Sequence, residues 1–208
     1  MPALSELLQA SARLHEGRPC PRQVPGVRMS LLAGTLLGLE VPQRDKRFLV
    51  IVETYGCAAD GIAVGANCWV GRRTMRIVDL GKVAATYVDT HSGTAVRLHP
   101  HPVARERAAA CAPEAPSRWH AQLLGYQRMP DEELLAWTWV ELAIPLPVLL
   151  ARAGGRVHCW RCGEEVLDQR EVWIEGKPVC RSCAGEAYYW IREPGARADR
   201  PAALTQRA

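Results

Sequence analysis

The sequence predicts an α+β protein, with a main domain of mixed helices and short strands followed by a small treble-clef or zinc-ribbon-like finger. Three observations predict this fold class. Apolar residues recur at helical spacing near the start of the chain, short β-branched runs follow, and two Cys-x-x-Cys pairs lie near its end. With 208 residues, 48% hydrophobic and 23% charged, the chain has room for one sizeable core and one small module.

The first half of the chain predicts three helices and one interior strand. Leu4, Leu7 and Leu8 have helical spacing, and the apolar segment GVRMSLLAGTLLG reads as a buried helix. The run FLVIVE is rich in β-branched residues, as interior strands are, and Gly56 precedes a third helical segment. The helices are expected over residues 3–14, 26–38 and 57–68, with the strand over residues 48–53.

The second half of the main domain predicts mainly strands. Short β-type runs favour strands over residues 75–78, 83–88, 94–98 and 139–144. Residues 102–118, rich in Ala, Arg and Pro, are either a helix or a surface loop. Asp131 follows Pro130 and begins a capped helical turn.

Proline and glycine content marks the domain boundaries. Residues 1–144 are expected to form the main domain, and residues 145–156, with two Pro and two Gly, a linker. The finger is expected over residues 157–192. Residues 193–208 have little to bury, which predicts a disordered tail.

The chemistry expected of the cysteines depends on the cellular compartment of the protein. The start of the chain lacks the pattern of a signal peptide, and the most apolar stretches are far shorter than the roughly 20 residues of a membrane helix. We therefore expect a cytoplasmic protein without a membrane span. Thiols stay reduced there, so the eight cysteines suggest metal ligands or buried thiols before disulfides.

The strongest motif is Cys159-x-x-Cys162 followed, after 17 residues, by Cys180-x-x-Cys183. Two such turns direct four sulfurs at one ion, and this spacing is typical of structural zinc sites. Zinc is the expected cofactor, with iron in a rubredoxin-like site as its chemical rival. A closed four-sulfur shell has no open position, so the site is not expected to be catalytic. A β-hairpin turning at residues 175–178 and a helix after Cys183 complete the predicted finger.

The surface of the finger suggests a protein or nucleic-acid partner, with nucleic acid the less favoured, or only solvated side chains around core tryptophans. It combines aromatic and basic side chains with five acidic ones that would repel phosphates. The aromatic and basic residues are Trp160, Arg161, Arg170, Trp173, Lys177 and Arg181, and the acidic ones are Glu164, Glu165, Asp168, Glu171 and Glu175. The formal net charge of +4 does not by itself mark a nucleic-acid binder.

Three cysteines of the main domain, Cys20, Cys57 and Cys68, have surroundings that suggest chemistry or simple burial. On one continuous helix, Cys57 and Cys68 would stand about 16 Å apart, too far to share an ion. The pair His99 and His101, at alternate positions of a strand end, is either a metal-binding pair or a polar loop.

Four segments of the main domain resemble the FmdE family, which is named after a component of formylmethanofuran dehydrogenase. They are CPRQVPGVRMSLLAGTLLGLE, VETYGCAADGIAVGANCWVG, MRIVDLGKVAATYVDT and YQRMPDEELL. The match is strongest at the motif Glu53-Thr54-x-x-Cys57-x-x-Asp60-x-Ile62, at Cys68, and at Asp79-x-Gly81-Lys82. The resemblance implies an α+β domain, a homodimer, a C-terminal zinc finger, and a second metal or ligand site formed by Cys20, Cys57, Asp60 and Cys68.

This sequence departs from the family before Cys20. Where the family has His-Gly-His, the chain has Glu16-Gly17-Arg18, with His15 just outside the frame, and Arg22 replaces the glycine after Cys-Pro. An Arg side chain offers no lone pair to a metal, so it does not replace an imidazole ligand.

Three functional hypotheses follow. The first is an accessory protein, associated by resemblance with molybdenum or tungsten formylmethanofuran dehydrogenase systems, that binds a metal or small ligand in its main domain and a partner through its finger. The second is a regulatory or adaptor protein whose finger contacts nucleic acid or protein. The third is an enzyme with Cys57 as nucleophile, although no base adjoins Cys57 in sequence.

Overall fold

The computed structural model of the protein describes residues 2–150 and 154–191. The chain forms two compact units, which divide between Leu149 and Leu150. The first unit mixes helices with a five-stranded sheet, and the second contains short hairpins around four cysteines. The α+β fold class with a C-terminal finger is therefore confirmed. No helix in the described ranges has the length and apolarity to span a membrane.

The helices before the finger have four to fifteen residues. They are α1 (Leu4–Arg13), α2 (Gln23–Leu37), α3 (Cys57–Ala66), α4 (Ala104–Cys111), α5 (Arg118–Arg128), α6 (Asp131–Leu134) and α7 (Leu146–Leu150).

The sheet has the strand order β2-β1-β3-β4-β5. The β1–β2 pair is parallel, and the other three pairs are antiparallel. The strands are β1 (Phe48–Val52), β2 (Met75–Ile77), β3 (Ala85–Asp89), β4 (Ala95–Pro100) and β5 (Leu135–Val140).

The core lies between the sheet and α2. Phe48 of β1 and Tyr87 of β3 stack with ring centroids 5.5 Å apart, and both side chains are fully buried. The hydroxyl groups of Tyr87 and Ser30 on α2 form a hydrogen bond of 3.2 Å, which satisfies the buried phenol. Burial raises the pKa of Tyr87 far above its usual value, so the phenol stays neutral.

Helices α2 and α3 pack with their backbones in contact, because glycines occupy the crossing. A Cβ atom at Gly61 would lie 2.3 Å from the carbonyl oxygen of Gln23, and one at Gly26 would lie 2.5 Å from that of Ala58. Such distances exclude any larger side chain at the crossing. The glycines therefore bring the start of α2 against the start of α3.

One buried carboxylate fixes the end of the β3–β4 hairpin. Asp89 accepts hydrogen bonds from Nε and Nη2 of Arg47 at 2.8 and 2.9 Å, from the Ser92 hydroxyl at 2.8 Å and from the His91 amide at 3.0 Å. The Arg47 guanidinium and these donors hold the pKa of Asp89 well below its usual range.

Several predicted boundaries are wrong, and local contacts explain why. The sequence predicts the last strand over residues 139–144, but β5 runs from Leu135 to Val140, because these residues pair with β4 along its whole length. The third helix ends at Ala66, before Cys68, because Asn67 adopts a left-handed conformation with φ of 50°. The sequence pattern does not predict helix α5. Of residues 102–118, predicted as either a helix or a loop, α4 occupies Ala104–Cys111 and residues 112–117 form a loop.

Residues 145–156 are expected to form a linker, and the structure has the short helix α7 in the first part of this segment. The predicted disordered tail at residues 193–208 lies outside the described residues.

The finger contains two hairpins followed by a helical turn. Strand β6 (Arg156–His158) pairs with β7 (Glu165–Leu167), and β8 (Val172–Ile174) pairs with β9 (Lys177–Val179). The predicted turn after β8 is present, with Glu175 and Gly176 at φ of 50° and 72°. A π-helical turn over residues 182–186 follows, and Gly185 at φ 105° interrupts it. The helix expected after Cys183 therefore does not extend through the described residues 187–191.

The glycine crossing predicts that Gly61→Ala destabilises the protein. Alanine is the better helix former by about 1 kcal/mol, but its methyl group would push α2 and α3 apart. We expect the free energy of unfolding in urea to fall by about 1–3 kcal/mol. Gly71→Ala is the matched control, because a Cβ there meets no atom within 4 Å. Equal stability of the two variants would contradict the close crossing.

The Arg47–Asp89 pair predicts a pH-dependent stability difference between the wild type and Asp89→Asn. Since the folded-state pKa lies below the unfolded value of about 3.9, the carboxylate contributes stability that is fully present above about pH 5. That contribution is lost as the pH falls below about 4. Near neutral pH we expect a loss of about 1–2 kcal/mol in the variant. Urea titrations at several pH values test this, and a difference that grows on acidification would refute it.

Candidate metal centres

Four thiols of the finger converge on one point. The sulfur atoms of Cys159, Cys162, Cys180 and Cys183 all lie within 4.8 Å of one another. The Cys162 and Cys180 sulfurs are 3.8 Å apart. Four sulfurs around a tetrahedral zinc ion with Zn–S bonds of ~2.3 Å would stand ~3.8 Å apart. The donor set thus fits a zinc ion in number, type and spacing.

The backbone of the finger holds these thiols in two tight turns. The first turn is closed by hydrogen bonds from the Gly163 amide to the Cys159 carbonyl and from the Cys159 amide to the Glu164 carbonyl, both 2.9 Å. Gly163 has φ of 77°, which a residue with a side chain rarely adopts. The β8–β9 hairpin then carries Cys180 across to the first turn, where the Trp160 amide donates to the Pro178 carbonyl at 2.8 Å.

Backbone amides also stabilise negative charge on the sulfurs. The Cys180 amide donates to the Cys159 sulfur at 3.2 Å, and the Cys183 amide donates to the Cys180 sulfur at 3.4 Å. The first of these bonds is the largest cause that lowers the pKa of Cys159 to about 6. Thiolates are the form that binds metal, so this bond favours metal binding by Cys159. The neighbouring thiols act in the opposite direction on Cys183, where the hydrogen bond with Cys180 is the largest cause that raises the pKa to about 12.

A second group of donors lies in the main domain, where the glycine crossing joins the starts of α2 and α3. Cys57 is the first residue of α3, and Cys20 precedes α2 by three positions. The loop that carries Cys20 is anchored by the buried Gln23, which accepts from the Cys20 amide at 2.8 Å and donates to the Ser11 carbonyl at 2.9 Å. The Cys20 thiol is near enough to contribute to the raised pKa of Cys57.

An imidazole reaches this group from the end of α1. The Nε2 atom of His15 lies 2.7 Å from a carboxylate oxygen of Asp60, one helical turn after Cys57. The chain reverses here through Glu16 and Gly17, with φ of 55° and 79°. His15 falls outside the family's His-Gly-His frame, so the sequence does not place it in the site. The two successive residues of positive φ turn the chain so that His15 faces Asp60. A positive φ is not expected at a glutamate, so the sequence does not predict this turn.

The electrostatics of this group keep Cys57 protonated. Burial, the Cys20 thiol and the Asp60 charge all raise the pKa of Cys57 above that of a free thiol, with burial the largest cause. A nucleophilic cysteine requires the opposite shift. In the described residues the finger cysteines form the one group of three or more donors within 4.8 Å, so the main-domain donors stand as neighbouring pairs.

Cys68 does not join Cys20, Cys57 and Asp60. It follows the far end of α3, and ten helical residues span about 15 Å. Its fully buried thiol donates to the Phe48 carbonyl at 3.2 Å and accepts from the Gln43 amide at 3.0 Å. Burial raises its pKa to about 12. The alternative of a small buried residue thus describes Cys68 better than a ligand role.

The histidine pair at the end of β4 also lacks a ligand arrangement. The ring of His99 bonds to the Pro100 carbonyl through Nδ1 at 2.9 Å, and the Val103 amide lies 3.4 Å from Nδ1 of His101. Both rings line an open cleft of the main domain. Cys111 lies at the end of α4 and packs partly against the core.

Comparison with known proteins assigns both parts of the chain. Residues 15–136 match the family model "FmdE, Molybdenum formylmethanofuran dehydrogenase operon". Residues 152–189 match the model of the prokaryotic dksA/traR C4-type zinc finger. These residues include all four finger cysteines and the pairs Cys20–Cys57 and His15–Asp60.

Two individual proteins are also similar. A curated protein of Archaeoglobus fulgidus, named a probable S-adenosyl-L-methionine-binding protein, is 28% identical over 89% of this chain. The chain spans about half of that relative's length, 54%. A tungsten formylmethanofuran dehydrogenase FmdE-like protein of Syntrophus aciditrophicus superposes with a TM-score of 0.62 at 21% identity, over 90% of this chain and 95% of that one. At 21% identity, the similarity to the Syntrophus protein shows a common fold and no more.

The thiol environments predict distinct alkylation behaviour in the metal-free protein. We expect Cys68 to resist iodoacetamide until the protein is unfolded, because its thiol is fully buried. Cys57 should react with a pH midpoint above the usual ~8.5 of a free thiol. Cys111, which is also partly exposed, serves as the reference. Peptide mapping by mass spectrometry reads each site, and labelling of Cys68 at the rate of Cys111 would contradict its placement.

Proposed function

The chain belongs to the FmdE family, and from this premise we propose that it is a zinc-containing accessory protein with two ligand sites. The finger holds a structural zinc ion. The main domain binds a metal ion or a small ligand at the meeting point of α2 and α3. By family, this role is associated with molybdenum or tungsten formylmethanofuran dehydrogenase systems, and the finger contacts a protein partner.

The observation that carries this proposal is the convergence of the four finger thiols within 4.8 Å. Zinc would be held by Cys159, Cys162, Cys180 and Cys183, and its binding energy would stabilise a segment too small for a core of its own. Four sulfurs fill the tetrahedral shell, so the ion would hold the finger's shape rather than activate a substrate.

The main-domain site rests on the proximity of Cys20 to Cys57 and of His15 to Asp60. Thiolate, imidazole and carboxylate are the three protein ligand types that zinc accepts. The side chains of His15 and Asp60 are 30% and 37% exposed, so a metal ion from solvent can reach them. His15 thus offers the imidazole that Arg18 does not.

The partner role of the finger is supported by its exposed aromatic side chains. Trp160 is 63% exposed and Trp173 is 60% exposed, although tryptophan is seldom this open on a free surface. Lys177 lies 3.6 Å above the Trp160 ring and holds it in place. Homodimer formation, implied by the family resemblance, belongs to the same proposal.

Metal content tests the proposal on the full chain. We expect two zinc ions per chain by plasma mass spectrometry of protein purified under reducing conditions. Cys57→Ser and Cys20→Ser should each remove one ion, because a hydroxyl group is a poor zinc ligand. Cys162→Ser should remove the other and leave the main-domain ion. Cys111→Ser is the matched control and should keep both.

Each outcome decides one part of the proposal. One ion in the wild type, retained in Cys57→Ser and lost in Cys162→Ser, would support the finger and reject a main-domain metal. Loss of metal from Cys111→Ser would show that general instability, rather than ligand removal, explains the losses. Protein without any zinc or iron would overturn the proposal as a whole.

A further inference from the structure

The main domain contains an open cleft of about 850 Å³ that the metal sites do not use. It lies beside the end of β4 and the starts of α4 and α5. Its lining is strongly basic, with the acidic Glu106 against five cationic side chains. The five are Arg22, Lys82, Arg97, Arg105 and Arg118. We propose that this cleft binds a small molecule that carries two or more phosphate or carboxylate groups.

The cations of the cleft are available for a ligand. Arg22, Lys82, Arg105 and Arg118 make no ion pair with any residue that the structure describes. Like charges gathered in a concave surface raise the local concentration of anions. An anion with several charged groups would relieve their mutual repulsion.

Arg97 is the exception, and its pairing orients it for binding. Its Nε and Nη2 atoms each donate to one carboxylate oxygen of Glu53 at 2.6 Å. This two-point bond holds the guanidinium in one plane, and the Nη1 group donates to no atom of the described residues. A held guanidinium loses less conformational entropy when a ligand anion binds to the remaining group.

The loop of residues 79–82 forms part of the rim of the cleft. The Asp79 side chain accepts from the Gly81 amide at 3.0 Å, and Gly81 has φ of 66°. The carbonyl of Glu53 accepts from the amides of Leu80 and Lys82 at 3.0 and 3.1 Å. These bonds fix the loop 79–82 and its lysine at the cleft. Glu53 therefore positions two cations of the cleft: it holds Arg97 through its side chain and Lys82 through its carbonyl group.

The size and shape of the cleft favour a small ligand over a polymer. Ligand pockets commonly have volumes of about 300–1,000 Å³ and a few convergent polar groups. His99, His101 and Gln122 add hydrogen-bonding groups beside the arginines, and Tyr126 and Pro25 add an apolar wall. Arg22, just before α2, adds a cation to the wall that Pro25 and Tyr126 form.

Calorimetric titration of the metal-loaded full chain at low salt tests the proposal. Fructose 1,6-bisphosphate probes for a phosphorylated ligand, tricarballylate probes for a polycarboxylate, and fructose is the uncharged control. We expect saturable binding of at least one anion and none of fructose. The anion that binds identifies the charged group, and its affinity should fall as salt is added.

Single substitutions locate the site. Arg105→Ala and Arg118→Ala should each weaken binding about tenfold or more, because a hydrogen bond between charged groups is lost. Arg107→Ala is the matched control, since Arg107 lies on the same helix as Arg105 but does not line the cleft. Its affinity should change less than about twofold. Circular dichroism verifies folding, and metal content measured on the same samples separates this site from the zinc sites.

Three results would overturn the proposal. The first is no binding of either anion at millimolar concentration. The second is equal weakening by Arg107→Ala and Arg105→Ala, which would mean that overall charge, rather than the cleft, attracts the anion. The third is preferential binding of a single-stranded oligonucleotide that depends on the cleft arginines, which would make the surface a nucleic-acid site.

Discussion

The close crossing of α2 and α3 is the contact on which the rest of the main domain depends. Gly26 and Gly61 let the two backbones touch, so that the loop before α2 meets the first turn of α3. Cys20 and Cys57 are neighbours for this reason, although 36 residues separate them in the sequence. Buried Gln23 sits at the crossing and ties the same loop to α1. Helix packing thus creates the pair of thiols before any ligand is considered.

Charge is used in two ways in this domain. Asp89 is satisfied by Arg47 and by local hydrogen bonds, so this pair serves the structure of a hairpin. Glu53 holds Arg97 in the same two-point manner, but there the pair faces a cleft whose other cations have no described partners. The two ion pairs therefore differ in their surroundings. Around Asp89 the charges are balanced, whereas around Arg97 there are more cations than anions.

The features that the sequence predicts correctly depend on local patterns. The finger cysteines are recognisable by spacing alone, and the turn at Glu175 and Gly176 follows from the residue types that such turns require. The family resemblance points to Cys20, Cys57, Asp60 and Cys68. The structure places Cys20 and Asp60 near Cys57 and buries Cys68 elsewhere, so the second site stays a prediction.

Features that depend on tertiary contacts escape prediction. Periodicity extends the third helix to residue 68, but the left-handed Asn67 ends it earlier and sends Cys68 into the core. His15 reaches Asp60 through a reversal that no sequence pattern marks. The basic cleft gathers residues from the start of α2, the end of β4, α4 and α5, and no window of sequence contains them together.

The two compact units rely on different sources of stability. A hydrophobic sheet-and-helix core supports the first, whereas the second has little more than short hairpins around its cysteines. If the proposed zinc ion holds the finger together, a cell short of zinc would contain a chain whose first unit is folded and whose second unit is not. Proteases would then cut the second unit before the first, so that under the proposed function the loss of one ion would separate the main domain from any partner that the finger binds.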